Sequence, residues 1–129
     1  MQLKSYMLAT DKTAIVKVYC IKVLKGKKKI ANLGDVVIVC VNSINIKKFV
    51  NLKARFQKKF NVGTMHRALI VRNKVNYQRI QGLFLKFNEN SIVIVSKNVV
   101  PLSNKVYGPI LREFCMRWPS LGCTSICII

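Results

Sequence analysis

Acidic residues are nearly missing from this chain. Its 129 residues hold four of them, Asp11, Asp35, Glu89 and Glu113, against 23 Lys and Arg, for a net charge of +19. A compact body this positive repels itself unless a polyanion neutralises it, which points to nucleic acid or an anionic membrane surface. Long hydrophobic runs are lacking too. The longest, residues 36–41, is six residues, where a spanning helix needs about 20. No amphipathic basic helix of useful length offers a surface anchor either, so no membrane insertion is expected. Histidine occurs once, at His66, and no carboxylate pair is present for acid–base work, which argues against an enzyme. Internal repeats and Ser/Gly/Pro-rich linkers are absent, so residues 1–129 read as one domain.

Gly, Ala, Arg and Pro together supply only 20 residues, whereas Phe, Tyr, Met, Ile, Asn and Lys supply 56. The scarce set uses GC-rich codons and the abundant set AT-rich ones, a skew that suggests an AT-rich genome such as many organellar genomes. The N-terminal Met-Gln-Leu-Lys-Ser-Tyr-Met has neither an apolar signal core nor an Arg/Ser-rich presequence. The expectation is that the chain is made where it works or that a targeting segment is already gone.

What the chain does have is apolar mass. Hydrophobic residues make up 51% of it, too much for a disordered basic tail. Of five cysteines, Cys20 and Cys40 fall in strand patterns and read as small core residues. An odd count argues against a secreted disulfide scaffold. Cys123 and Cys127, with Cys115 nearby, fall short of the four ligands of a tetrahedral zinc site. No metal and no cofactor are expected.

The apolar runs are short, β-branched and separated by turn residues, which is the pattern of strands. They predict strands over residues 13–24, 34–41, 65–73, 83–87 and 91–96. In the first, Ala14, Val16, Val18, Cys20 and Leu24 would share a face, and Asn88-Glu89-Asn90 would turn the last two into a hairpin. Residues 25–29 (Lys-Gly-Lys-Lys-Lys) form a basic tip, and residues 42–62 a long basic loop with some helix. Gly108-Pro109 would start a helix with Ile110, Leu111, Phe114, Cys115 and Trp118 on one face, and Pro119 a second short one. The fold expected is a small five-stranded antiparallel β-barrel at about 7–100 with a C-terminal appendix of one or two short α-helices at about 101–129. Closure removes exposed strand edges, and the helices would plug one end.

The cations that should meet a nucleic acid are Lys25, Lys27, Lys28 and Lys29 at the tip, and Lys47, Lys48, Lys53, Arg55, Lys58 and Lys59 in the loop. Loop tips reach into a folded polyanion where a barrel wall cannot. Arg67, Arg72, Lys74 and Arg112 join them because they lie within the segments that carry the family resemblance given below, the bland alternative being local ion pairs. Lys supplies 17 of the 23 cations, so contacts should go mainly to phosphates, an ammonium being a point charge rather than a planar reader. Phe49, Phe56 and Phe60 interleave with the loop cations and would either stack on unpaired bases or pin the loop to the barrel or to a protein neighbour. His66 reads as a strand residue facing RNA or solvent.

Six segments then stand in an order and spacing that resembles a known family. They are residues 7–10 (Met-Leu-Ala-Thr), 19–26 (Tyr-Cys-Ile-Lys-Val-Leu-Lys-Gly) and 32–39 (Asn-Leu-Gly-Asp-Val-Val-Ile-Val). Residues 67–74 (Arg-Ala-Leu-Ile-Val-Arg-Asn-Lys), 82–90 (Gly-Leu-Phe-Leu-Lys-Phe-Asn-Glu-Asn) and 106–113 (Val-Tyr-Gly-Pro-Ile-Leu-Arg-Glu) follow. Over residues 7–118 the chain resembles the family of universal ribosomal protein fourteen of the large subunit. The resemblance implies a five-stranded barrel that binds large-subunit ribosomal RNA beside a neighbouring large-subunit protein. It also implies a place at the subunit interface, bridging to small-subunit RNA, and a surface on which a ribosome-silencing factor docks in bacteria and organelles.

That docking surface includes Asn104 and Lys105, where the family usually has Thr-Arg; the Lys keeps the charge but loses bidentate recognition. Glu89 stands where the family tends to have the glycine of Asp-Gly, which should force a different turn. Segment 45–60 is expanded and more basic than usual, and Trp118-Pro119 is closer to the archaeal and eukaryotic branch. These departures and the codon skew point to a mitochondrial ribosome of a fast-evolving lineage, with another organelle or a bacterial cytoplasm as the alternative. The functional expectation is a structural, non-catalytic constituent of the large subunit; the competing reading is a barrel-type translation or maturation factor that binds transiently.

Overall fold

The computed structural model describes residues 1–26 and 29–129. Lys27 and Lys28 of the basic tip lie outside the described residues. Five strands close a barrel in the order β1 (Tyr6–Ala9), β2 (Ile15–Val23), β3 (Val36–Ile44), β4 (Met65–Arg72) and β7 (Ser91–Val95). Four of the five ladders are antiparallel. The closing ladder, β1 with β7, is parallel, with Leu8 opposite Ser91. The strand count and closure match the sequence reading, but one member differs. The short β1 takes the place expected for residues 83–87. Those residues instead hold β6 (Phe84–Leu85), which pairs with β5 (Tyr77–Gln78) as a small separate hairpin.

The barrel interior is built by alternation. Val18, Cys20, Val37, Val39, Val41, Ala68, Ile70, Ile92 and Ile94 point inward and are buried, as period-two side-chain direction requires. A register shift between Cys20 and Lys22 breaks the expected face of β2, so that Val23 is buried and Leu24 exposed. On β4 and β7 the outward residues Leu69, Val71, Val93 and Val95 are buried as well. This explains the unbroken runs Ala-Leu-Ile-Val and Ile-Val-Ile-Val, since a strand covered on both faces has no polar side.

The cover comes from the C-terminal segment: β8 (Val106–Ile110), α3 (Arg112–Arg117), α4 (Pro119–Thr124) and β9 (Ser125–Ile128). Val106, Ile110, Leu111, Phe114 and Leu121 pack on that outer face. The helices therefore flank the barrel wall instead of plugging an end. Pro119 does begin α4, at the first helical position. Gly108-Pro109 does not begin a helix; it lies in β8, at a register shift against the parallel strand β9. Proline is tolerated in strands at such irregularities.

Residues 42–62 are more ordered than a loop. The strand β3 runs on to Ile44, and α1 (Ile46–Val50) and α2 (Ala54–Lys59) follow. Asn45 caps α1 by accepting from Lys48 N, and Gln57 Nε2 donates to the carbonyls of Phe49 and Val50 at 3.2 Å each, stitching the two helices together. Phe60 is buried in the barrel cluster with Leu52 packed against it. Among the described residues no helix is long and apolar enough to cross a membrane.

Candidate nucleic-acid interface

The four acids decide which cations are free. Asp35 Oδ1 lies 3.0 Å from Lys25 Nζ while its Oδ2 accepts from Asn32 N, which locks the 32–35 turn. Glu89 pairs with Arg72 at 2.8 Å and Glu113 with Arg79 at 2.8 Å. Asp11 is buried without a cation; its carboxylate accepts from Thr13 and from Ile94 N. Burial pushes its pKa up, an effect those hydrogen bonds oppose. Every acid is thus engaged internally. The cations outside these three pairs have no acidic partner among the described residues.

The expected contact residues separate accordingly. Lys29, Lys47, Lys48, Lys53, Arg55, Lys58, Lys59, Arg67, Lys74 and Arg112 are exposed and unpaired among the described residues, as are Asn104 and Lys105. Lys25 is exposed but tethered to Asp35. Arg72 is corrected: only 4% exposed, it cannot reach a phosphate. Its Nη1 donates to the carbonyls of Tyr107 and Pro109 at 3.0 and 3.4 Å, and its Nη2 to Glu89. It joins the barrel to the C-terminal segment. Its motif setting, Ile-Val-Arg-Asn-Lys, gave no sign that Arg72 turns inward and Lys74 outward.

Two adjoining grooves of about 410 and 390 Å³ share Leu8 and Glu89. The first brings Lys48 and Asn45 beside Tyr107 and Gly108; the second collects Lys17, Lys74, Asn42, Asn90 and Tyr6. Together they form a surface that runs from α1 across β1 to the turn after β4. Lysine ammoniums with amide side chains between them suit phosphate and ribose oxygens. Lys17 was missed in the sequence; its outward place in the alternation of β2 was the available signal. Arg112 is not part of this surface, since it borders the β5–β6 hairpin instead.

The aromatic residues divide as well. Phe60 is the pin: it stacks on Phe56 with centroids 6.2 Å apart and meets His66 at 5.5 Å. Phe56 is 44% exposed, and Phe49 is half-buried. His66 neither faces solvent freely nor carries a carboxylate partner. Its Nε2 meets Thr64 Oγ1 at 3.0 Å, and burial holds its pKa below the ordinary 6.5. All five cysteines are free thiols; Cys20 and Cys40 are buried.

A closed, strongly cationic barrel with its acids turned to internal use defines a class: small basic β-barrel proteins built to sit against a polyanion. The comparisons with known proteins narrow that class. A family profile described as Ribosomal protein L14p/L23e matches residues 1–128. The chain is also similar to the large ribosomal subunit protein uL14 of Carsonella ruddii (strain PV), at 34% identity over 113 residues, which covers 87% of this chain and 84% of that relative. The chain belongs to the L14p/L23e family of large-subunit ribosomal proteins, which is a structural family and not an enzymatic one.

Proposed function

We propose that the chain binds large-subunit ribosomal RNA directly, through the groove surface of Lys17, Lys48 and Lys74 and the adjoining cations of α1 and α2. The observation that carries this is the consumption of all four acids inside the protein, which leaves the exposed lysines to an external polyanion. Each phosphate neutralised releases counterions, so binding of the isolated protein weakens steeply with salt. Helices α1 and α2 are held by Phe60 and Leu52 and present Lys47, Lys48, Lys58 and Lys59 outward. Exposed Lys29 and Lys53, with Arg55 and Arg67, extend the contact set.

Family membership supports a further reading, in which the protein sits at the subunit interface, contributes to a bridge with small-subunit RNA, and presents Asn104 and Lys105 to a silencing factor. We place it in a mitochondrial ribosome on the codon skew and the departures from the family; another organelle or a bacterial cytoplasm is the alternative, and the similar protein of Carsonella ruddii is bacterial. Fractionation tests the ribosomal placement and the location at once. The protein should co-sediment with mitochondrial large subunits, one copy per particle, through a high-salt wash. Recovery only on assembly intermediates or in the soluble pool would replace the structural reading with that of a transient factor. Recovery on ribosomes outside mitochondria would overturn the location alone.

A further inference from the structure

Lys74 belongs to the lysine grooves described above, but its two neighbours in the chain line a different groove. Asn73 and Val75, with Asn32, Asn76, Tyr77 and Gln78, border a hollow of about 290 Å³. No charged residue is among its described lining; its polar side chains are four carboxamides and one phenol. The hydrogen bonds of its walls come from the backbone. Asn32 N donates to Asp35, Lys74 N to Asn90 Oδ1, and Phe87 N to the Asn73 carbonyl. The four carboxamides make none to a described residue, so each keeps a donor and an acceptor for a ligand. Asn73 does so while only 4% exposed. Burying an amide without a partner is unfavourable, and a partner from outside removes that cost.

The hollow is preformed. The Asp35 carboxylate and the bond from Gly34 N to the Ile70 carbonyl, at 2.9 Å, hold the 32–35 turn on one side. On the other, Tyr77 packs against the outer core cluster and pairs across to Leu85. We infer that this hollow takes the base of one unpaired adenine from the RNA whose phosphates the neighbouring lysines hold. A carboxamide offers its donor and acceptor side by side, which matches adenine N6 and N7. The same edge of guanine is two acceptors and calls for an Arg or Lys, and neither is among the described lining. The half-buried ring of Tyr77 offers a face on which an unpaired base can stack. Lys74, between Asn73 and Val75 in the chain, and Lys29, three residues before Asn32, are exposed and without acidic partners among the described residues. They are placed to take the phosphates on either side of that nucleotide. A protein segment is the poorer occupant, because the core of a protein interface is apolar and this lining is mostly amide.

The inference rests on the RNA-binding reading proposed above, and the test separates the two. Labelled decamers of adenosine, uridine and cytidine are titrated with the full chain, and binding is read by fluorescence anisotropy over a range of salt. The adenosine decamer should bind about fivefold more tightly than the other two, the discrimination of one bidentate base contact. That ratio should persist as salt rises, because phosphate contacts are common to all three probes. Asn76→Ala combined with Gln78→Ala should bring the three affinities together and leave uridine binding as it was. Both side chains are exposed, so the thermal midpoint should stay put. Asn73→Asp, which puts an acceptor in place of the amide donor, should act in the same direction. Equal affinities in the wild type, a preference that survives the double substitution, or a double variant that is folded yet weaker on every probe would each overturn the inference alone. Failure of the wild type to bind any decamer would overturn the RNA-binding reading and this inference together.

Discussion

The guanidinium of Arg72 occupies the space that a side chain at Gly108 would need. A β-carbon built on Gly108 would overlap Arg72 Nη1, and Gly108 has φ +81, a region L side chains rarely adopt. The Gly-Pro step of β8 thus lets the arginine reach the Tyr107 and Pro109 carbonyls on either side of the glycine. Gly108→Ala should destabilise the fold by about 2 kcal/mol or more, read as a lower urea midpoint.

Glu89 completes that arrangement from the other side. Glu89→Gln leaves a buried guanidinium with a weaker partner. Because the carboxylate is itself 43% exposed, the cost should be about 1–2 kcal/mol rather than that of a fully buried pair. An unchanged midpoint would show that the backbone carbonyls suffice to hold Arg72.

Phe56 and Phe60 should separate in their effects. Phe60→Ala removes a buried ring from the barrel cluster and should cost about 3–5 kcal/mol, releasing α1 and α2. Phe56→Ala should cost under about 1 kcal/mol, and RNA affinity would fall with it only if that ring stacks on a base.

Replacing Lys47, Lys48, Lys58 and Lys59 with Gln should leave the thermal midpoint nearly unchanged. The slope of log affinity for RNA against log salt should shrink by on the order of 3. Incorporation into particles at wild-type levels would show these charges to be bystanders.

His66 sets a pH dependence. Burial lowers its pKa below 6.5, so the folded protein binds fewer protons there than the unfolded chain. Its contribution to stability is complete above pH 6.5 and is lost as pH falls from 6.5 through the lower folded value. Between pH 7 and 5 the urea midpoint of His66→Gln should fall less than that of the wild type. Equal declines would assign the loss to other groups. Asp11, whose folded pKa is raised above 3.8 by burial, acts in the opposite sense: folding gains from its protonation as pH falls through the raised folded value toward 3.8.

Much of the barrel was legible because alternation and continuous apolar runs are local signals. The strands over 34–41, 65–73 and 91–96 correspond to β3, β4 and β7 with small shifts at their ends. The cationic surface was legible as charge, and the pinning role of Phe60 stood among the readings of its segment. Residues 83–87 look like a barrel strand because Leu-Phe-Leu is apolar, yet Leu83 and Phe84 face solvent. No local pattern tells a strand buried in a wall from a hairpin that pairs outside it.

By itself the sequence determined that the chain folds, that it is mainly β, that its cations far outnumber its acids, and which family it resembles. The first three follow from composition and period, and the last from the order and spacing of its segments; none needs the fold to be read. Only the tertiary structure decided that four-residue β1 closes the barrel in parallel with β7, that the C-terminal segment covers β4 and β7, and that Arg72 turns inward while Lys74 turns out. Each depends on residues far apart in the chain, such as Leu8 with Ser91 and Arg72 with Gly108. Burial and pairing there are set by which surfaces meet, and the four acids, spread from Asp11 to Glu113, show it most directly: their number is written in the sequence, but their partners are written in the fold.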